Sequence, residues 1–108
     1  MSRYCVVYVT AGNEEEAAAL GEAAVAARLA ACANVIPGMR SVYWWEGKLE
    51  RAAEAILILK TRTDLVPALR DEIRSRHSYQ VPAFLVVPLD QVEPTYASWM
   101  ESVLRPSG

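Results

Sequence analysis

Residues 41–50, SVYWWEGKLE, set two tryptophans side by side in a run of strand-forming residues, just ahead of a Glu46-Gly47 turn. Successive side chains of a strand point to opposite faces of a sheet, so Trp44 and Trp45 cannot share one core. Whatever this chain folds into must therefore cover both faces of that strand. Length sharpens the constraint, because thirteen residues run from Ala33 to Trp45. At ~3.3 Å each they span about 40 Å, more than the ~30 Å across expected of a domain this size. The hairpin tip is expected to overhang its own domain. A tip bearing Tyr43, Trp44 and Trp45 offers roughly 150–250 Å² of burial per ring, and a second copy of the chain is the economical cover.

The rest of the chain alternates regularly. RYCVVYVTA (3–11) is β-branched and aromatic, apolar on both faces at its centre, and reads as a central strand. Asn13 and Glu16 form a capping-box pattern ahead of an alanine-rich helix expected to run to about Ala31, with Gly21 on a small face that allows close approach to a sheet. ANVIPGMRSVYWW follows as a second strand, interrupted at Pro37-Gly38 by a bulge, bend or edge position. LERAAEAILILKT (49–61) is the return strand. Thr63 can cap the next helix, which holds Pro67 in its first turn and ends near His77. VPAFLVVPLD (81–90) is a fourth strand, and EPTYASWMESVL (93–104) a terminal helix with Tyr96, Met100, Val103 and Leu104 on one stripe.

The order β-α-β-β-α-β plus a terminal helix is the ferredoxin-like split β-α-β arrangement, an α+β fold in which right-handed crossovers place both main helices on one face of an antiparallel sheet. The other face is left bare, toward which one of Trp44 and Trp45 must project. At 108 residues the chain suits one domain, residues 1–108. Net charge is −2 with a pI near 5.4, which disfavours nucleic acid and anionic membrane as partners. No apolar run reaches 18 residues, and the N-terminal stretch has too short an apolar core for a secretory signal, so a cytoplasmic protein is expected. Cys5 and Cys32 lack CxxC spacing and read as free thiols.

LAACANVIPGMRSVYWWEGKLE, then AILILKTRTDL, then RSRHSYQVPAFLVVPL and a terminal YASWM together resemble the CutA divalent-cation tolerance family over nearly the whole chain. The resemblance implies a homotrimer of ferredoxin-like subunits, similar in architecture to the PII signal proteins, with long hairpins traded between neighbours and clefts between them. It implies an association with tolerance and binding of copper and other divalent cations, and no established reaction. The sequence departs from the pattern at Ser78, where Pro is common, and at Gln80 and Ala83, where Glu is common. Those changes remove acidic groups near the cleft and turn it away from hard cations.

Candidate ligating residues follow from chemistry. His77 is the only histidine, and with Cys32 it would suit Cu(I), Cu(II) or another borderline ion, since thiolate and imidazole favour such metals. The competing reading is a histidine meeting the C-terminal dipole of its helix. No cofactor is required by any motif. Lys60 and Thr61 end one strand while His77, Ser78, Tyr79 and Gln80 enter another, and these ends are expected to frame one pocket, with Glu54 and Trp45, able to take a small anionic ligand. Tyr43, Trp44 and Trp45 are assigned to the trimer interface. A second class, a hydrolase or transferase using Cys32 with His77, lacks a nucleophile elbow and a glycine-rich oxyanion loop. A non-enzymatic trimeric binding protein is the favoured reading.

Overall fold

A computed structural model describes residues 2–107. The chain runs β1 (Tyr4–Ala11), α1 (Glu14–Ala26), β2 (Cys32–Trp45), β3 (Lys48–Arg62), α2 (Val66–Arg76), β4 (Phe84–Pro88) and α3 (Pro94–Val103). The four strands form one antiparallel sheet in the order β2-β3-β1-β4, the expected split β-α-β topology. Alternation sorts the sheet residues. Cys5, Val7, Val9 and Ala11 of β1 and Ala55, Leu57 and Leu59 of β3 are buried, in one core with Leu20 and Ala24 of α1 and Leu69 and Ile73 of α2.

The opposite face carries Tyr8, Ile36, Ile56, Ile58, Leu85 and Val87, and there Ile36, Leu85 and Val87 are exposed. It is not wholly bare. α3 crosses the end bearing Tyr4, Lys60 and Arg62, where Glu101 accepts from the Tyr4 hydroxyl at 2.6 Å and from Arg62 at 2.8 Å. Arg62, only 1% exposed, also donates to Asp64 and to the Arg105 carbonyl. Met100 and Leu104 enter the core, whereas Tyr96, expected on the same stripe, is exposed beside Trp99.

Several boundaries differ from the sequence reading. α1 stops at Ala26 rather than near Ala31, because Arg28 turns left-handed (φ 60°) and the Arg28 and Leu29 amides close back onto Val25 and Ala24. That is a Schellman ending without its usual glycine. Thr63 does not cap α2: its hydroxyl donates to the Ser2 carbonyl, and a single 3-10 turn, Thr63–Leu65, precedes the helix. β4 is paired only over Phe84–Pro88, which frees residues 81–83 for another role.

The long hairpin overhangs as expected. β1 ends at Ala11 opposite Ala55, so from Glu54 to Lys48 β3 has only β2 beside it. The chain is 45 Å long and 25 × 23 Å across, and its radius of gyration is 14.5 Å. A compact chain of this length would have about 13 Å. Glu46 (φ 49°) and Gly47 (φ 78°) both lie in the left-handed region, the signature of a type I′ turn whose twist matches the strands. A bulge between Ile36 and Met39 adds one residue to β2 and inverts its alternation. Met39, Ser41, Tyr43 and Trp45 thereby share the face of Glu54 and Glu50, while Val42 and Trp44 point to the other side with Leu49. Trp44 is 72% exposed.

Gly21 is the closest point between α1 and the sheet. A Cβ there would sit 2.8 Å from the Ala33 Cβ and 3.0 Å from Leu57 Cδ1. Gly21→Ala should therefore destabilise the protein by about 1–3 kcal/mol, the range for overpacking, despite alanine's better helix propensity. Urea denaturation measures it, and a stabilised variant would mean that the helix can lift from the sheet at no cost.

Candidate functional site

The end of β1 creates the site. Because β1 stops at Ala11, the segment linking α2 to β4 passes over the gap beside the hairpin and reaches Glu54. The Asn13 side chain accepts the Glu16 amide at 2.8 Å, as the capping pattern implies. The Glu16 carboxylate does more than cap. It accepts from the Gly12 amide at 2.9 Å and from the Ser78 amide at 2.8 Å, tying α1 to the 77–83 segment. A proline at 78 could not make that second bond. Burial acts to raise the Glu16 pKa, but the bonds from Ser78 and Gly12 outweigh it and hold the carboxyl below its ordinary value.

His77 is held on both ring nitrogens. Nε2–H donates to the Thr10 carbonyl at 2.7 Å, and Nδ1 accepts the Tyr79 amide at 3.0 Å. Its side chain is 0% exposed. No lone pair remains for a metal in this arrangement. Tyr79, whose ring centre lies 4.7 Å from that of His77 at a 48° tilt, donates its hydroxyl to Glu54 Oε2 at 2.5 Å. Burial first, and the Glu54 carboxylate second, raise the Tyr79 pKa well above that of a free phenol.

Around this core lies a groove of about 630 Å³, lined on the hairpin side by Ser41, Val42, Tyr43, Trp45 and Glu54 and on the other by Thr10 and residues 78–81 and 83. Glu54, Trp45, Tyr79 and Gln80 were expected together and are together. Tyr43, assigned only to the interface, also faces the groove. Thr10 and Ser41 carried no signal in the sequence, since neither residue type nor spacing marks a groove wall. A broader depression of about 800 Å³ at the opposite end includes Arg3, but that side chain is already paired with Glu101.

Lys60 and Thr61 do not belong to the groove, contrary to the pocket expected from the sequence. β3 and β4 both run antiparallel to β1, hence parallel to each other, so the end of β3 lies beside the end of β4 and not beside the segment entering it. Thr61 is buried and donates to the Leu29 carbonyl at 2.6 Å; the Lys60 ammonium sits 5.6 Å from the centre of the Tyr96 ring. Cys32 and His77 are likewise apart. Cys32 pairs with Lys60, whereas His77 bonds Thr10, whose partner is Ile56. Four residues of β3 separate the two positions, about 13 Å at ~3.3 Å per residue. Neither a Cys32–His77 metal pair nor a thiol–imidazole dyad forms within one chain. Among the described residues no group of three or more His, Cys, Asp and Glu could hold a metal ion. Tyr43, Trp44 and Trp45 are exposed as an interface requires, though they divide between the two faces of the hairpin.

A ferredoxin-like sheet with an overhanging hairpin and a groove at its base defines a class of small α+β proteins. The family model for CutA1 divalent ion tolerance protein matches residues 5–103, and this chain belongs to that family. It is 44% identical over 100 residues to the divalent-cation tolerance protein CutA of Salmonella newport, covering 93% of this chain and 87% of that protein. It is 41% identical over 102 residues to the chloroplastic CutA 1 of Oryza sativa subsp. japonica, covering 94% of this chain and 58% of that protein, so the chain spans little more than half the length of this relative. The crystal structure of CutA1 from Oryza sativa superposes with a TM-score of 0.94 at 40% identity, covering 98% and 97% of the two chains.

The neutral Tyr79 phenol makes a pH prediction. Its folded pKa lies above the unfolded value of ~10, so its contribution to stability is complete below pH ~10 and is lost as pH rises through the folded pKa. In an alkaline titration followed by tyrosinate absorbance, one step should coincide with unfolding. Tyr79→Phe should remove that step; its persistence would show that another tyrosine is responsible.

Proposed function

We propose that this protein acts as a non-enzymatic homotrimer in divalent-cation tolerance, in the cytoplasm, binding a soft ion such as copper with donors drawn from more than one copy. The observation that carries the reading is the family match over residues 5–103. The assembly is supported by the apolar sheet face of Ile36, Ile56, Ile58, Leu85 and Val87 and by the exposed hairpin rings, a surface too apolar to stand in water. Cys32 is the half-exposed thiol of the chain and the soft donor of this reading, while Cys5 is buried. His77 joins only by giving up its bonds to Thr10 and Tyr79.

The alternative of a PII-like sensor for a small anion loses its pocket, because the groove is lined by no lysine, arginine or histidine and Lys60 lies at the far end of β3. A Cys32–His77 hydrolase loses its dyad for the reason given above.

Light scattering at micromolar concentration should return three times the 11.9 kDa chain mass. A monomer would remove the assembly and with it any shared metal site. Cu(I) titration against a chromophoric chelator, without oxygen, tests the metal reading: Cys32→Ser should weaken binding by about tenfold or more, about 1.4 kcal/mol. His77→Ala should lower thermal stability more than copper affinity. Copper affinity unchanged by Cys32→Ser would end the assignment of that thiol.

A further inference from the structure

The hairpin and α3 carry exposed rings at opposite ends of one sheet face. Tyr43 and Trp45 lie on the face of Glu54, which continues through Ile56 and Ile58 to Lys60, and α3 crosses that face at its far end. There Tyr96 and Trp99 stand with ring centres 5.3 Å apart, 36% and 43% exposed, while Met100 and Leu104 are buried beneath them. The two pairs of rings cannot meet within one chain. Tyr43 pairs with Glu50, and Lys60, whose ammonium lies 5.6 Å from the centre of the Tyr96 ring, is ten residues further along β3. That separation is about 33 Å at ~3.3 Å per residue.

Charge and symmetry say how they are covered. Neither Glu50 nor Lys60 belongs to an ion pair among the described residues. The tip thus sets a free carboxylate beside its rings, and the α3 end sets a free ammonium beside its own. Tyrosine and tryptophan are favoured in the cores of protein interfaces, and opposite charges fix the register of such contacts. In a threefold ring every contact is head-to-tail, so a surface away from the axis meets a different surface of the next copy. A hairpin tip is then covered by something other than a second tip. The Tyr96–Trp99 face of α3 is aromatic, continuous with the apolar sheet face past Ile58, and of the matching charge.

We propose that the hairpin of each copy lays Tyr43 and Trp45 on the Tyr96–Trp99 face of α3 in the next copy, bringing Glu50 to Lys60 of the partner subunit. The contact rests on the trimer proposed above, and three such contacts close its ring.

Light scattering over a dilution series, in urea sufficient to half-dissociate the unmodified trimer, reads the strength of the contact. Glu50→Lys and Lys60→Glu should each raise the dissociation concentration about tenfold or more, since each sets like charges against one another. The double variant Glu50→Lys/Lys60→Glu should recover most of that loss, because every interface of the ring then holds the reversed pair. The two positions are too far apart in one chain for the recovery to arise within it. Trp99→Ala, at an exposed position, should also weaken assembly about tenfold and tests the rings independently of the charges. Single reversals that assemble at full strength, a double variant no stronger than the singles, or an unaffected Trp99→Ala would overturn the proposal and leave the trimer standing. A monomeric unmodified chain would overturn the trimer itself, and this contact with it.

Discussion

The pairing of β2 with β3 continues past the point where β1 ends, and most of the functional surface depends on that mismatch. Beyond Ala55 toward the tip, β3 has no neighbour on the β1 side. The gap admits the segment between α2 and β4, and the bare ribbon beyond it holds Tyr43, Trp44 and Trp45 clear of the core. An isolated two-stranded ribbon is marginal in water. The type I′ turn and continuous register over Met39–Trp45 hold the two strands of this one together.

The groove is held by polar contacts that converge from separate elements. Glu16 at the start of α1, Thr10 at the end of β1, His77 after α2 and Glu54 on β3 meet through bonds of 2.5–3.0 Å. His77, which sequence chemistry marks as a metal ligand, serves here as a brace between β1 and Tyr79. At the other end of the sheet the Arg62 guanidinium plays a comparable part, joining β3 to α3 through Glu101, whose pKa is lowered chiefly by the Tyr4 hydroxyl. β3 is thus held at Glu54 and at Arg62 by side chains of opposite charge, with the apolar residues Ile56 and Ile58 between them.

The family name speaks of divalent cations, and in one chain the donors for such an ion are dispersed: Cys32 at the sheet edge, His77 occupied, Glu54 alone among aromatic rings. A metal site of several strong donors therefore calls for more than one copy.

The sequence by itself determined the element order, the sheet topology, the capping of α1 by Asn13, the tight approach at Gly21, the two-residue turn and the overhang of the hairpin. These follow from periodicity, turn chemistry and chain length, which are local properties. It also marked Glu54, Trp45, Tyr79 and Gln80. Trp45 reaches the face of Glu54 because the bulge between Ile36 and Met39 inverts the alternation of β2, and only the tertiary structure fixed that inversion. Only the structure separated Lys60 and Thr61 from His77, since that turns on the relative direction of β3 and β4 around β1. The thiol and the imidazole were kept apart for the same reason: residue type states what a side chain can do, while the sheet's order and register set what it can reach.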